Sequence, residues 1–522
     1  MSISVSLRSE NPYLVLFSFC NQLPSPPKPP LPLLLFCFFF VFFLILHRLV
    51  LRLSAAGTVP SCHGPKVHPV IGSLLPFYKN RHRLLDWYTE MLKASPNLTF
   101  VMWRLGARRI VVTANPENLE HMLKTNFPNY PKGKPFTDIL GDFLGRGILS
   151  ADGDLWHMQR KLASHEFSAR SLREFVVNVL EREVGERLLP ILSSACADRR
   201  VVDMQDLLRR FAFDTVCKIS FGTDPGLLDP SLPESALAGA FEVASAISAK
   251  RGAAPVFVVW KAKRALGVGS ERQLRAAVKL IHASIMEVIR RRKATLENGT
   301  QHKDLLSRLI TGGHEEEVIR DMVISFVMAG RDTTSAALTW FFWLVSSHPE
   351  VEAELVKEAK RAKGRSDLHA LKDMKTLEAC LCESMRLYPP VVWDSKHAVS
   401  DDVLPDGTRI RGGDRVTYFP YGMGRMERLW GENCLDFDHR RWLEESGEVV
   451  RESPFKFPVF QAGPRICLGK EMAFLKMKYI AAAVLREFAL RRVEGERQKP
   501  TLVPMLTAHM AGGLQMVVDS RK

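Results

Sequence analysis

The feature that most constrains this 522-residue chain is a loop near its C-terminal end, FQAGPRICLGK at residues 460–470, and above all the sulfur of Cys467. Gly463 and Gly469 flank that sulfur, with Arg465 two residues before it and Phe460 seven before it. Glycine has no Cβ, so such a backbone lies close to a flat group without clashing. The residues that follow, LGKEMAFLKMKYIAAAVLREF, read as a helix. The sulfur therefore sits where free N–H groups and the positive end of the helix dipole favour a thiolate. Arg465 is placed to pair with an acidic group on a charged cofactor. The rival reading of a lone cysteine, a structural thiol in a turn, predicts none of this surrounding chemistry.

Composition narrows the class. Apolar residues make up 46% of the chain, enough for a large core, and the length allows one large domain with a membrane tail. The formal charge of +15 suits an anionic membrane or an acidic protein partner. Nucleic acid is excluded as a partner, because the basic residues are dispersed and no zinc-finger, RRM or basic-helix pattern occurs. Nine scattered cysteines without a CxxC pair fit a reducing compartment.

Residues 1–30 are polar and then Pro-rich, and are expected to form a disordered leader. Residues 31–46, LPLLLFCFFFVFFLIL, are uncharged and apolar, and snorkelling by Arg48 and Arg52 lengthens the run toward the roughly 20 residues of a span. A single membrane anchor over 31–53 is expected. A cleaved signal peptide fits poorly, since the run lies far from the N-terminus and no small-residue cleavage site follows it at once. Arg48, Arg52, Lys66 and Lys79 follow the run while only Arg8 and Lys28 precede it, which puts the C-terminal part in the cytosol. Residues 54–75, with Pro60, Gly64, Pro65 and Pro69, read as a stiff linker, and 76–522 as the catalytic domain. Residues 99–103 and 109–113 alternate like a strand pair, Asn115-Pro116 opens a helix, and 403–418 reads as short strands around a Pro-Asp-Gly turn. Helical periods dominate from about 152 to 395, and the basic run 290–293 reads as the end of a solvated helix face.

Three further patterns stand out. Residues 315–346 read as a long apolar-rich helix interrupted by AGRDTTS, and its Gly, Asp and Thr residues lower propensity and invite a bend. Glu383 and Arg386 in ESMR stand one turn apart, in reach of a salt bridge. Trp156 and Arg160 in WHMQR lie i and i+4 on one helix face.

The Cys467 loop resembles the FxxGxRxCxG haem-binding loop of the cytochrome P-450 family, with every fixed position present. The resemblance implies a mainly α fold with small β-sheets, in which haem b lies between the long central helix and the Cys loop, and an N-terminal membrane anchor helix. It makes Cys467 the axial thiolate, with Phe460, Gly463 and Gly469 shaping the loop around the haem. It assigns AGRDTTS to the oxygen-activation helix, which needs a kink beside the iron. Thr333 supplies a hydroxyl near dioxygen and Asp332 an acid connected to solvent. Trp156 and Arg160 match the family's WxxxR, so Arg160 and Arg465 bind the haem propionates, and Lys396 or His397 adds a third cation. Glu383 and Arg386 match a buried structural pair completed by Arg441 of FDHRRW, where His439 stands for the usual Pro and Arg440 for a frequent Glu. Phe136, Phe326, Met328, Ala329, Val392, Trp393, Thr507 and His509 fall where the family lines its substrate pocket.

Finer strings, among them KGKPFTDILGDFLGRGI, WDSKHAVSDDVLPDGT and YGMGRMERLWG, look like the plant branch that oxidises the ends of fatty acids and jasmonoyl-amino acid conjugates. WDSKHA followed by TYFPYGMGRMER is most similar to jasmonoyl-isoleucine hydroxylases. That resemblance implies an endoplasmic-reticulum enzyme using O2 and electrons from NADPH through a flavoprotein reductase to hydroxylate the terminal carbon of an amphipathic lipid. The alternatives are terminal hydroxylation of a steroid side chain and a haem-thiolate enzyme that rearranges peroxides without a reductase. The last should lack the Asp332-Thr333 pair.

Overall fold

A computed structural model describes residues 37–45, 48, 63–68, 71–103, 109–168, 170–229, 235–254, 256–299, 304–361, 368–493 and 500–521. The chain divides into two units, Met1–Pro60 and Ser61–Lys522. In the first, residues 37–45 are helical and Phe38, Phe39 and Phe43 are exposed. The expected leader and most of the apolar run lie outside the described residues. Among the described residues no helix is long and apolar enough to cross a membrane.

Among its described residues the second unit is mostly helical, with four small sheets. Its first described helix, Leu74–Lys79, begins inside the expected linker. The largest sheet has four strands. Thr99–Trp103 pairs antiparallel with Arg109–Thr113, which pairs parallel with Arg415–Tyr418, and Asp394–His397 closes the far edge antiparallel. Asn115 caps the helix Pro116–Glu120 by accepting the Glu117 N–H at 2.9 Å, the role its place before a proline predicts. The strand Asp394–His397 falls where helical periods were expected. Its four residues are all buried, so no polar-out alternation marks it.

The helix Glu316–Val345 organises the rest. It serves two cores in turn. Ile319, Ile324 and Val327 pack with the helices Gly133–Leu144, Ala236–Ala253 and Ser270–Glu297. Leu338, Trp340 and Phe341 pack with Lys375–Leu387 and Lys470–Glu487. Between the two cores apolar burial lapses, and Met328, Ala329, Gly330, Thr333 and Thr334 face a cavity instead. The α-helix is continuous through AGRDTTS. The hydroxyls bond back within the helix, Thr333 donating to the Ala329 carbonyl at 2.6 Å and Ser335 to that of Arg331 at 3.0 Å, the back-bonding that invites a bend. Gly330 serves helix packing, since a Cβ there would come within 2.9 Å of Val216 on the neighbouring helix Met204–Phe221.

Candidate active site

The Cys467 loop closes one wall of that cavity. A short 3-10 turn over Gly463–Arg465 leads into it, and the helix Lys470–Glu487 starts three residues beyond the sulfur. Gly463 has φ of 63°, and a Cβ there would collide with the Leu123 carbonyl oxygen. The glycine is thus demanded by backbone packing against the segment His121–Thr125 rather than by a nearby cofactor. Gly469 has ordinary φ, and a Cβ there would meet only the Cys467 sulfur, at 3.9 Å. The Cys467 N–H donates to the Phe460 carbonyl at 2.8 Å, which fixes the loop's tip. Protein encloses the sulfur except toward the cavity, which is where its exposure lies. Burial pushes the Cys467 thiol up, while the Gly469 N–H, Arg160 and Lys470 all act to favour the thiolate.

Opposite the sulfur stand Ala329, Gly330, Thr333 and Thr334 of the central helix. Asp332 is not on the cavity wall. Its carboxylate lies 3.3 Å from Arg331 Nε on the helix flank, and Arg331 also reaches Glu242 at 2.9 Å and sits over the Phe213 ring. A hydroxyl facing the cavity and an acid facing outward therefore occupy adjacent positions of one helix.

One edge of the cavity is cationic. Arg465 donates to the Ala151 carbonyl at 2.9 Å and to Asp152 at 2.6 Å, and its guanidinium lies 4.5 Å above the Trp156 ring. Arg465 Nε is buried and has no hydrogen-bond partner among the described residues. Arg160 lines the same edge and has no carboxylate partner among the described residues. Lys396 is present too, but shared: Asp394 lies 3.3 Å from it and 2.7 Å from Lys132, and accepts the Tyr418 hydroxyl at 2.9 Å. Burial alone would raise Asp394, yet Lys132, Lys396 and Tyr418 hold it well below the carboxylate range. Burial, Lys132 and Arg465 push the Lys396 ammonium down to about 7 against the opposing pull of Asp394. No motif marks Asp394 or Lys132, although Asp394 stands two residues before Lys396, on the same face of a strand. His397 turns its Nδ1 to the Lys132 carbonyl at 2.6 Å.

The cavity holds about 820 Å³. Phe136, Phe326, Met328, Ala329 and Trp393 line it, together with Trp156 and Phe460. Three expected lining residues do not. Val392 turns into the core of the main sheet, and Val391 takes its place on the wall. Thr507 and His509 lie past the wall-forming Pro504, Met505 and Leu506, with His509 in a strand paired to Val503.

Behind the loop, Glu383 and Arg386 form a fully buried bidentate pair at 2.7 Å and 2.7 Å. Arg386 also donates to the carbonyls of Cys434 and Asp436 at 2.6 Å and 3.0 Å. Arg441 is 3.5 Å from Glu383, while Trp442 Nε1 donates to Glu383 at 2.8 Å. The departure at His439 is absorbed by Asp438, which caps the 3-10 turn His439–Trp442 and gives its N–H to Glu383 at 3.0 Å.

These features fit an iron porphyrin. A sulfur opens onto a large space with a helix face opposite, and the edge carries one arginine without a carboxylate and a second with an orphaned N–H, the donors that acidic substituents require. Fold and site together define a haem-thiolate oxygenase. A family model described as cytochrome P450 matches residues 62–514, and the chain belongs to that family of haem-thiolate monooxygenases. It is 55% identical over 481 residues to cytochrome P450 94B1 of Arabidopsis thaliana, covering 90% of this chain and 93% of that protein. It is 52% identical to cytochrome P450 94B3 of the same plant, with 88% and 92% covered. Identity to cytochrome P450 94A1 of Vicia sativa is 44%, with 88% and 90% covered.

Proposed function

We propose that this monooxygenase hydroxylates the terminal carbon of a slender amphipathic lipid, jasmonoyl-isoleucine or a fatty acid, with haem b held by Cys467 and electrons drawn from NADPH through a flavoprotein reductase. The observation that carries this reading is the cavity. It is about 820 Å³, walled by apolar residues such as Phe136, Leu140, Leu144, Phe326 and Leu506, and reaches Cys467. Terminal C–H bonds are stronger than internal ones, so selecting a chain end requires that its position be imposed, and an apolar wall imposes it. The resemblance of WDSKHAVSDDVLPDGT and YGMGRMERLWG to the chain-end-oxidising plant branch supports the substrate class. The apolar run at 31–46 and the basic residues after it support a membrane anchor in the endoplasmic reticulum with the catalytic unit in the cytosol.

When bound, the haem supplies a thiolate-ligated iron at which dioxygen is activated and oxygen delivered to carbon. The chain does the rest. Cys467 holds the iron, its negative charge favoured by the Gly469 N–H, Arg160 and Lys470. Arg160, Arg465 and Lys396 hold the propionates. Thr333, released from the Ala329 carbonyl by a rotation about χ1, presents its hydroxyl to the cavity and passes protons inward. Asp332, on the helix flank, takes those protons from solvent. The apolar wall excludes water so that protons arrive through this pair.

Product analysis tests the reading: microsomes carrying the enzyme, reductase and NADPH are given a competing mixture of lauric acid, oleic acid and jasmonoyl-isoleucine. A terminally hydroxylated jasmonoyl conjugate or ω-hydroxy fatty acid is expected. Oxidation confined to mid-chain carbons, or turnover of peroxides without reductase, contradicts it.

A further inference from the structure

The cavity wall carries a half-buried lysine that no role above absorbs. Lys476 stands on the helix Lys470–Glu487, nine residues after Cys467. It lines both the main cavity and a side space of about 10 Å³, the size of about one water molecule. The part of Lys476 that is accessible therefore faces the interior. No hydrogen bond or ion pair joins its ammonium to any described residue, and burial pushes it down to about 8 with no charged neighbour contributing.

The surroundings explain the isolation. The helix Met204–Phe221 turns Leu208, Phe211, Ala212 and Thr215 toward the side space, and the central helix turns Gly330, Thr334, Ser335 and Leu338. None of these titrates. The charged residues nearby on those helices have partners elsewhere: Arg331 pairs with Glu242 and with Asp332, and Asp214 accepts from the N–H groups of Leu227 and Leu228. On its own helix, Lys478 is tied to Glu378. Thr215 Oγ1, on the same side space, is buried without a partner among the described residues. A buried charge with no counter-charge is costly, and such groups concentrate where charge has work to do. Its neighbour Lys478 shows that this helix can pair a buried lysine, which makes the unpaired one the exception.

We propose that Lys476 is a fixed positive charge that sets the reduction potential of the haem, favouring the one-electron step from ferric to ferrous iron by offsetting the added negative charge. It shares the cavity with the Cys467 sulfur, and a charge at a partly desolvated wall is screened less than one in bulk water. A single water in the side space, held by the lone hydroxyl of Thr215, solvates the ammonium and lets it stay charged. This inference rests on haem ligation by Cys467 but not on the identity of the substrate.

The test is spectroelectrochemical titration of the full-length holoenzyme with a chemical reductant, comparing wild type with Lys476→Gln, Lys476→Met and Lys476→Arg. The carbon monoxide difference band is recorded for each, so that lost haem ligation is told apart from altered potential. The neutral variants are expected to show about a tenfold smaller equilibrium constant for reduction, which is about 59 mV for one electron. Lys476→Arg stays near wild type. With rising pH the wild type loses its charge and its potential falls relative to Lys476→Arg, which stays charged throughout. An unchanged potential in the neutral variants with an intact band overturns the proposal. If those variants fail to bind haem, a wild-type potential that tracks Lys476→Arg from about pH 7 to about pH 10 overturns it as well.

Discussion

Trp442 donates its indole N–H to Glu383 at 2.8 Å, a shorter contact than the 3.5 Å that separates Arg441 from the same carboxylate. The buried Glu383–Arg386 pair is thus closed chiefly by an aromatic donor. Arg441 works mainly on the Trp430 carbonyl at 2.6 Å and on Asn433 Oδ1 at 2.9 Å. Removing a hydrogen bond to a buried charge costs about 1–3 kcal/mol. Trp442→Phe is therefore expected to lower the thermal midpoint more than Arg441→Lys does, as followed by circular dichroism. A larger effect from Arg441→Lys would return the closing role to the arginine.

The two glycines of the thiolate loop should differ. Gly463→Ala places a side chain at positive φ against the Leu123 carbonyl, so its fraction of haem-bound protein is expected to fall at least tenfold. Gly469→Ala meets only ordinary contact with sulfur, at 3.9 Å, and should keep most of its haem. Absorbance of haem against protein in purified samples checks both, and equal losses would contradict the packing account.

Thr333→Ala removes a hydroxyl that faces the cavity, while the helix keeps its backbone hydrogen bonds. Haem content and substrate-induced spectral shift should stay near wild type. Product formed per NADPH consumed is expected to fall several-fold, with hydrogen peroxide making up the difference. Unchanged coupling would remove Thr333 from proton transfer.

Asp394 is held below its ordinary range by Lys132, Lys396 and Tyr418, against burial that acts the other way. A carboxylate depressed in the fold contributes stability that is present above its unfolded pKa of about 3.9 and is lost as pH falls through the folded value. Asp394→Asn should therefore be least stable relative to wild type at neutral pH, with the gap narrowing below about pH 4. Thermal midpoints of both proteins across that range decide it, and a gap that widens in acid contradicts the ion-pair assignment.

Much of the fold and site is legible in the chain because several patterns are local. The strands Thr99–Trp103 and Arg109–Thr113 stand where expected, although four consecutive residues of each are buried rather than alternating, and the central helix runs within a residue of its expected bounds. The motif residues Cys467, Arg465, Trp156 and Arg160 meet at one cavity. What the sequence hides is long-range. Arg292 belongs to a basic run that reads as a solvated face, and Arg290 and Arg291 do pair outside with Glu287. Arg292 instead turns inward to Asp304, Ser307 and the Phe221 carbonyl, partners no periodicity announces. Val392 misses the wall because the chain there enters a strand buried on both faces, where neighbouring residues alternate sides. No sequence pattern marks the partner of Trp442 or the place of Lys476, and only the fold reveals the carboxylate that one binds and the interior space that the other faces.

The central claim, that Cys467 is the iron's thiolate ligand, is tested most directly by the carbon monoxide difference spectrum of reduced Cys467→Ser beside wild type. The wild type should give the red-shifted Soret band that thiolate ligation produces. The variant should lose that band entirely while its circular dichroism keeps the helical signature. A variant that retains the thiolate band would show that another residue binds the iron, and the site built around Cys467 would be wrong.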